Sequence, residues 1–154
     1  MGLPADQTQS QSQSQAQQPQ QPKASQLPPE AVELATKLFD FAREGRTAEL
    51  QQYLSAGIPI NLTNGKGDTL LMLASYHGHL ETTNMLLDCG ADTNVLNDRG
   101  QSVIAGAVFK GYDEVVKALF EKGADARLGQ PNAVDSARMF KRDECLRLFG
   151  EEVG

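Results

Sequence analysis

Gly67-Asp-Thr-Leu-Leu-Met-Leu-Ala74, then Gly78, then Leu86-Leu87-Asp-Cys-Gly90-Ala-Asp92: this order of residue types is written again 33 positions later. The second copy runs Gly100-Gln-Ser-Val-Ile-Ala-Gly-Ala107, then Gly111, then Leu119-Phe120-Glu-Lys-Gly123-Ala-Asp125. Repetition at a short fixed period signals stacked supersecondary units, each burying its apolar face against the next. Thr69 and Ser102 stand where a hydroxyl caps a helix by accepting from free first-turn amides. The pattern predicts inner helices from Thr69 to about Tyr76 and near Val103–Lys110. Outer helices are expected near Leu80–Asp88 and Asp113–Glu121. Ahead of the first copy, Asn64-Gly65 reads as a tight hairpin turn with positive φ at both central positions.

The period continues outward on both sides. Toward the N-terminus, Leu34, Ala35, Leu38, Phe39 and Ala42 form a helical stripe that begins after Pro28-Pro29-Glu30. Gly45 ends it, and Thr47–Ala56 reads as a second helix with Leu50, Tyr53 and Leu54 turned inward, closed by Gly57. Gly45 and Gly57 stand 33 residues before Gly78 and Gly90. Toward the C-terminus the spacing shortens, since Ala107 matches Ala137 only 30 residues on. The Gly123–Asn132 connection has therefore lost part of its hairpin, and Arg127 replaces the Asn found at 61 and 94. Asp135–Ala137 and Asp143–Phe149 still read as a helix pair, with Lys141, Arg142, Glu144 and Arg147 keeping its outer side wet, as suits a capping repeat. Four repeats are expected, at about 31–60, 61–93, 94–126 and 127–150, within a domain spanning 28–150. Residues 1–27 alternate Gln with Ser and then Pro, with almost no apolar residue to offset the entropy of ordering. A disordered low-complexity arm is expected there.

Residues 31–149 resemble the ankyrin repeat, whose signature is T-P-L-H-x-A. Neither copy keeps the signature's Pro and His: they read Thr69-Leu-Leu-Met72 and Ser102-Val-Ile-Ala105. The resemblance rests instead on the glycines at 45, 78 and 111, those at 57, 90 and 123, and the two Gly-Ala-Asp triplets. It implies an all-α repeat solenoid, an ankyrin-type stack of helix-turn-helix units with hairpin loops. It also implies a concave face of inner helices and hairpin tips that holds a partner protein. Carried onto this chain, that face takes Arg43 and Glu44 from the first repeat and Lys66, Asp68, Tyr76 and His77 from the second. The third repeat adds Asp98, Arg99, Gln101, Phe109 and Lys110. Tyr76 and Phe109 stand 33 apart and are expected to be neighbours on one face. Because the family's Pro presets a helical φ, placing Pro at Leu70 and His at Met72 is expected to stabilise the fold.

The expected function is a non-catalytic protein-binding module, an adaptor or regulator acting as a monomer without a cofactor. A dedicated stabiliser or inhibitor of one enzyme is an alternative reading, as is self-assembly through the Gln/Ser arm. The formal charge of −6, with no Lys/Arg cluster, argues against nucleic acid and anionic membranes as partners. No apolar run is long enough for a membrane span, and Asp6 stands where a myristoylation signal wants Ser or Thr. Two cysteines without framework spacing, Cys89 and Cys145, fit reduced thiols and a cytoplasmic location, with the nucleus left open. His77 and His79 flank Gly78 without an evident third metal ligand. Gly65-Lys66-Gly67-Asp-Thr69 lacks the spacing of a phosphate loop. Asp113-Glu114 and Asp143-Glu144 are explained by helix starts, where negative charge is favoured.

Overall fold

The computed structural model describes residues 22–153, so the disorder expected of the first 21 residues lies outside them. Eight α-helices follow one another in pairs: α1 (Pro29–Glu44) with α2 (Thr47–Ser55), α3 (Leu70–Tyr76) with α4 (Leu80–Asp88), α5 (Val103–Lys110) with α6 (Asp113–Glu121), and α7 (Ala133–Met139) with α8 (Asp143–Leu148). The odd-numbered helices lie side by side as an inner row and the even-numbered ones as an outer row. Each pair shows one apolar side to its neighbour, and the stack closes over a single continuous core. Leu38, Leu50, Leu62, Leu70, Leu86, Ile104, Val116 and Leu119 lie fully inside it. Residues 33 apart thus become neighbours in space.

The helix starts follow the expected chemistry. Thr69 Oγ1 accepts from Met72 N at 3.2 Å, and Ser102 Oγ accepts from Ala105 N at 3.3 Å. In the last repeat Asn132 takes this role, its Oδ1 accepting from Asp135 N. Leu70, at the family's Pro position, is fully buried, and Met72 is nearly so. Replacing Leu70 by Pro removes core side chain, so the Leu70→Pro, Met72→His pair is expected to lower stability, the reverse of the sequence expectation. Truncating a buried Leu costs about 2–5 kcal/mol. A urea midpoint above the parent's would show that the preset φ outweighs the lost packing.

The hairpin tips differ from the expected two-residue turn. Neither Asn64 nor Gly65 has positive φ; the left-handed residue is Gly67, at φ 78°. Asn64 closes the turn with its own side chain, Oδ1 accepting from Lys66 N at 2.9 Å and Asp68 N at 3.0 Å. Gly67 N donates to Asn64 O, the pattern of a four-residue turn that ends in a left-handed glycine. Asn97 builds the next tip in the same way, with Gly100 at φ 74°.

Ties between repeats come from asparagines and backbone. Asn61 Oδ1 accepts from Asp92 N, and Asn94 Oδ1 accepts from Asp125 N. Asn97 Nδ2 donates to Asp68 Oδ1, and Asp98 N donates to Lys66 O. These bonds cross the joints between repeats without the signature histidine.

A second set of joints explains the periodic glycines. His79 lies against Gly45 and reaches Arg43 O through Nε2 at 2.6 Å. The Tyr112 ring lies against Gly78, and the Arg142 guanidinium against Gly111, where it donates to Val108 O and Phe109 O. The first three inner helices therefore each end at a bare left-handed glycine that a side chain of the next repeat covers. Arg142 belongs to this column rather than to a wet outer side. In the last repeat the left-handed position is Lys141, at φ 55°.

The described chain begins six residues before the expected domain boundary. Thr63 N and Oγ1 both donate to Pro22 O, at 2.8 and 3.0 Å, and Ala24 N donates to Thr63 O. A short helical turn, Ala24–Gln26, then leads into α1, with Leu27 packed on the core. A chain starting at Pro22 is expected to melt with the full chain. One starting at Pro28 should lose about 1–3 kcal/mol, from three hydrogen bonds and the packing of Ala24 and Leu27 on the core. Equal melts for both truncations would show that this segment adds nothing.

Candidate protein-binding groove

The inner row and the hairpin tips enclose one large groove of about 740 Å³. Of the side chains expected on the concave face, Lys66, Asp68, Tyr76, Asp98, Arg99, Gln101 and Phe109 line it. The tips of the second and third repeats supply the charged lip. Lys66 and Asp98 sit on adjacent hairpins joined backbone to backbone, and Asp68 is held by the Asn97 amide. Tyr76 and Phe109, at the ends of α3 and α5, stand 43% and 49% exposed.

The two rings share this face, as expected, but rest on different partners. Phe109 packs edge to face on Phe140, ring centres 5.2 Å apart. Tyr76 lies along α5 above Gly106, and the Lys110 ammonium sits 5.1 Å from its ring centre. Lys110 is thus at the edge of the groove without lining it. Arg43 and Glu44 lie outside it, engaged in ion pairs with Asp40 and Arg46. His77 also lies outside, its ring edge-on to Tyr76. Burial, then the charges of His79, Arg43 and Lys110, hold its pKa below the ordinary value.

The fourth repeat contributes what sequence reasoning missed. Met139, 70% exposed, and Phe140, 39% exposed, form the groove's far wall with Pro131. The signal was present: the shift that pairs Ala107 with Ala137 also pairs Phe109 with Met139. Tyr76, Phe109 and Met139 therefore form an apolar ladder across three repeats.

The other reactive groups sit elsewhere in ordinary structural roles. Cys89 and Cys145 are both free thiols. Cys145 is 2% exposed and donates to Asp113 Oδ1 at 3.8 Å. Burial, then the Asp113 charge, pushes its pKa up to about 11. A thiol so held is protonated at neutral pH and poor as a nucleophile. Because the folded value is raised, its stability contribution is complete below the unfolded pKa near 9.0 and is lost as pH rises toward 11. Wild-type protein is expected to lose at most about 2–3 kcal/mol relative to Cys145→Ala over that window. Parallel denaturation curves for the two across that range would remove the assignment. His77 and His79 lie 6.5 Å apart by ring centre, and no group of three His, Cys, Asp or Glu side chains suited to a metal occurs among the described residues.

A helical-repeat stack with an open, side-chain-rich concave face defines a class of scaffold that works by surface contact. A family model of three ankyrin repeats matches residues 38–129, and the chain belongs to the ankyrin repeat family. Proteins of this family are generally protein-interaction modules and typically not catalysts. A 56-residue stretch is 54% identical to an ankyrin repeat protein of Pseudomonas aeruginosa, covering 36% of this chain and 33% of that one. The crystal structure of the human ASB11 ankyrin repeat domain superposes with a TM-score of 0.66 at 27% identity, over 76% of this chain and 54% of that one. The chain thus spans a third of that curated relative and about half of the solved domain. No helix among the described residues is long and apolar enough to cross a membrane.

Proposed function

We infer that this chain is a non-catalytic adaptor or regulator that holds a partner protein in its concave groove. The observation that carries the reading is the ladder of Tyr76, Phe109 and Met139. Three large apolar side chains stand exposed in register on one face, where interface anchors ringed by polar groups are expected. The hairpin tips add polar groups whose backbones are pinned by inter-repeat hydrogen bonds, so little ordering is needed on binding.

The test compares proteins co-purified from native lysate by the full chain, by a chain starting at Pro22, and by residues 1–21 alone. An unchanged set after removing the first 21 residues supports the repeats as the binding part. Transfer of the set to the isolated arm would assign the association to the arm and overturn the reading.

A further inference from the structure

We propose that the groove takes an acidic peptide segment carrying a bulky apolar anchor. The anchor would pack among Tyr76, Phe109 and Met139, and its carboxylates would meet Lys66, Arg99 and Lys110. The proposal rests on the concave-face reading above and adds the chemistry of the occupant.

The shape points to a bulky anchor. Between Tyr76 on one side and the Phe109–Phe140 pair on the other, the floor is built from Ala105 and Gly106. The equivalent places in the second repeat carry Met72 and Leu73. The Tyr76 ring rests on the bare Gly106, and the small Ala105 beside it leaves no large side chain of α5 between the two apolar walls, which suits an aromatic or branched anchor.

Charge selects the flanks. Lys66, Arg99 and Lys110 make no ion pair among the described residues, whereas Arg43, Arg46, Lys122, Arg127 and Arg138 all do. Of the two carboxylates on the same lip, Asp68 is already held by Asn97 Nδ2. Asp98 is turned against Gly67 of the neighbouring hairpin. Across the molecule, the outer helices α2, α4, α6 and α8 carry eight carboxylates and two cations. An acidic segment is repelled from that back surface and steered to the concave side.

The test is a selection from a random peptide display library against the full chain, followed by binding of the recovered peptides to variants. The expected pool is enriched in Asp and Glu beside Trp, Phe or Leu and depleted of Lys and Arg. The recovered peptides are expected to lose about tenfold or more in affinity for the double variant Lys66→Glu, Arg99→Glu. They should lose a similar factor for Gly106→Leu, which pushes the Tyr76 ring off α5, and for Tyr76→Ala, which serves if Gly106→Leu melts early. Neutral or basic peptides that still lose affinity on Gly106→Leu or Tyr76→Ala would overturn the acidic chemistry and leave the groove reading standing. Peptides indifferent to every variant, or no enrichment over a blank surface, would overturn both. A dimer of the chain that Gly106→Leu dissolves would give the groove to a second copy and likewise overturn the proposal.

Discussion

Replacing Tyr76 and Phe109 together with Ala is expected to abolish partner capture while moving the denaturation midpoint little. Both rings stand near half exposed, and their visible attachments are one cation and two aromatic edges, Lys110 and His77 on Tyr76 and Phe140 on Phe109. An exposed cation–π contact is worth about 0.5–1 kcal/mol and an aromatic pair about 0.5–1.5 kcal/mol. Interface anchors cost about 2 kcal/mol or more of binding when truncated. Two such losses remove most micromolar affinities from view in a pull-down. Core aromatics would instead cost about 3–5 kcal/mol of stability each. One denaturant titration beside one pull-down separates the cases. Lost capture with a nearly unshifted midpoint supports the site, and a collapsed midpoint makes the rings structural. Intact capture would place the partner elsewhere.

Gly78→Ala is expected to cost about 2–4 kcal/mol, far beyond a surface substitution. Its φ of 76° is a conformation that a Cβ disfavours by about 1–2 kcal/mol. The added carbon would also stand 2.9 Å from the Tyr112 ring, which must then leave its place on the preceding repeat. Gly90→Ala is the control. Gly90 is left-handed too, at φ 92°, yet nothing lies within 4 Å of an added Cβ. The difference between the two urea midpoints isolates the ring's displacement. A double variant with Tyr112→Ala should recover part of it, as interacting neighbours do in a mutant cycle. Equal losses at 78 and 90 would mean that Tyr112 relaxes freely and that the joint between repeats carries little energy.

The fold was readable because its repeat is written in residues that backbone geometry constrains. The glycines at 45, 78 and 111, the capping Thr69 and Ser102, and the apolar periodicity place the helices within a residue or two of where they lie. The turn type was less legible. Asn64-Gly65 suits a two-residue hairpin, but Asn64 closes a wider loop with its own side chain and leaves the left-handed place to Gly67. The tie between Pro22 and Thr63 carried no periodic signal, since it runs through backbone and one hydroxyl. Half of the groove's apolar wall was hidden by three missing residues. The shortened connection moves Met139 and Phe140 out of the 33-residue register, although the loop absorbs the deletion and the helices still align.

The column of side chains resting on bare glycines also fixes how this stack can be lengthened. At its C-terminal end Lys141 occupies the position of Gly45, Gly78 and Gly111, and its Cβ fills the seat that a following repeat's side chain would need. A further repeat fused there would meet a steric stop until Lys141 became Gly. At the opposite end Arg46 occupies the covering position, now stacked over Phe41 and paired with Glu44 and Glu49. A repeat added before α1 and ending in a left-handed glycine would have Arg46 as its cover once that side chain swung away from Phe41, Glu44 and Glu49. Grafting new repeats onto this scaffold should therefore succeed from the front without altering the column, and from the back only after one substitution.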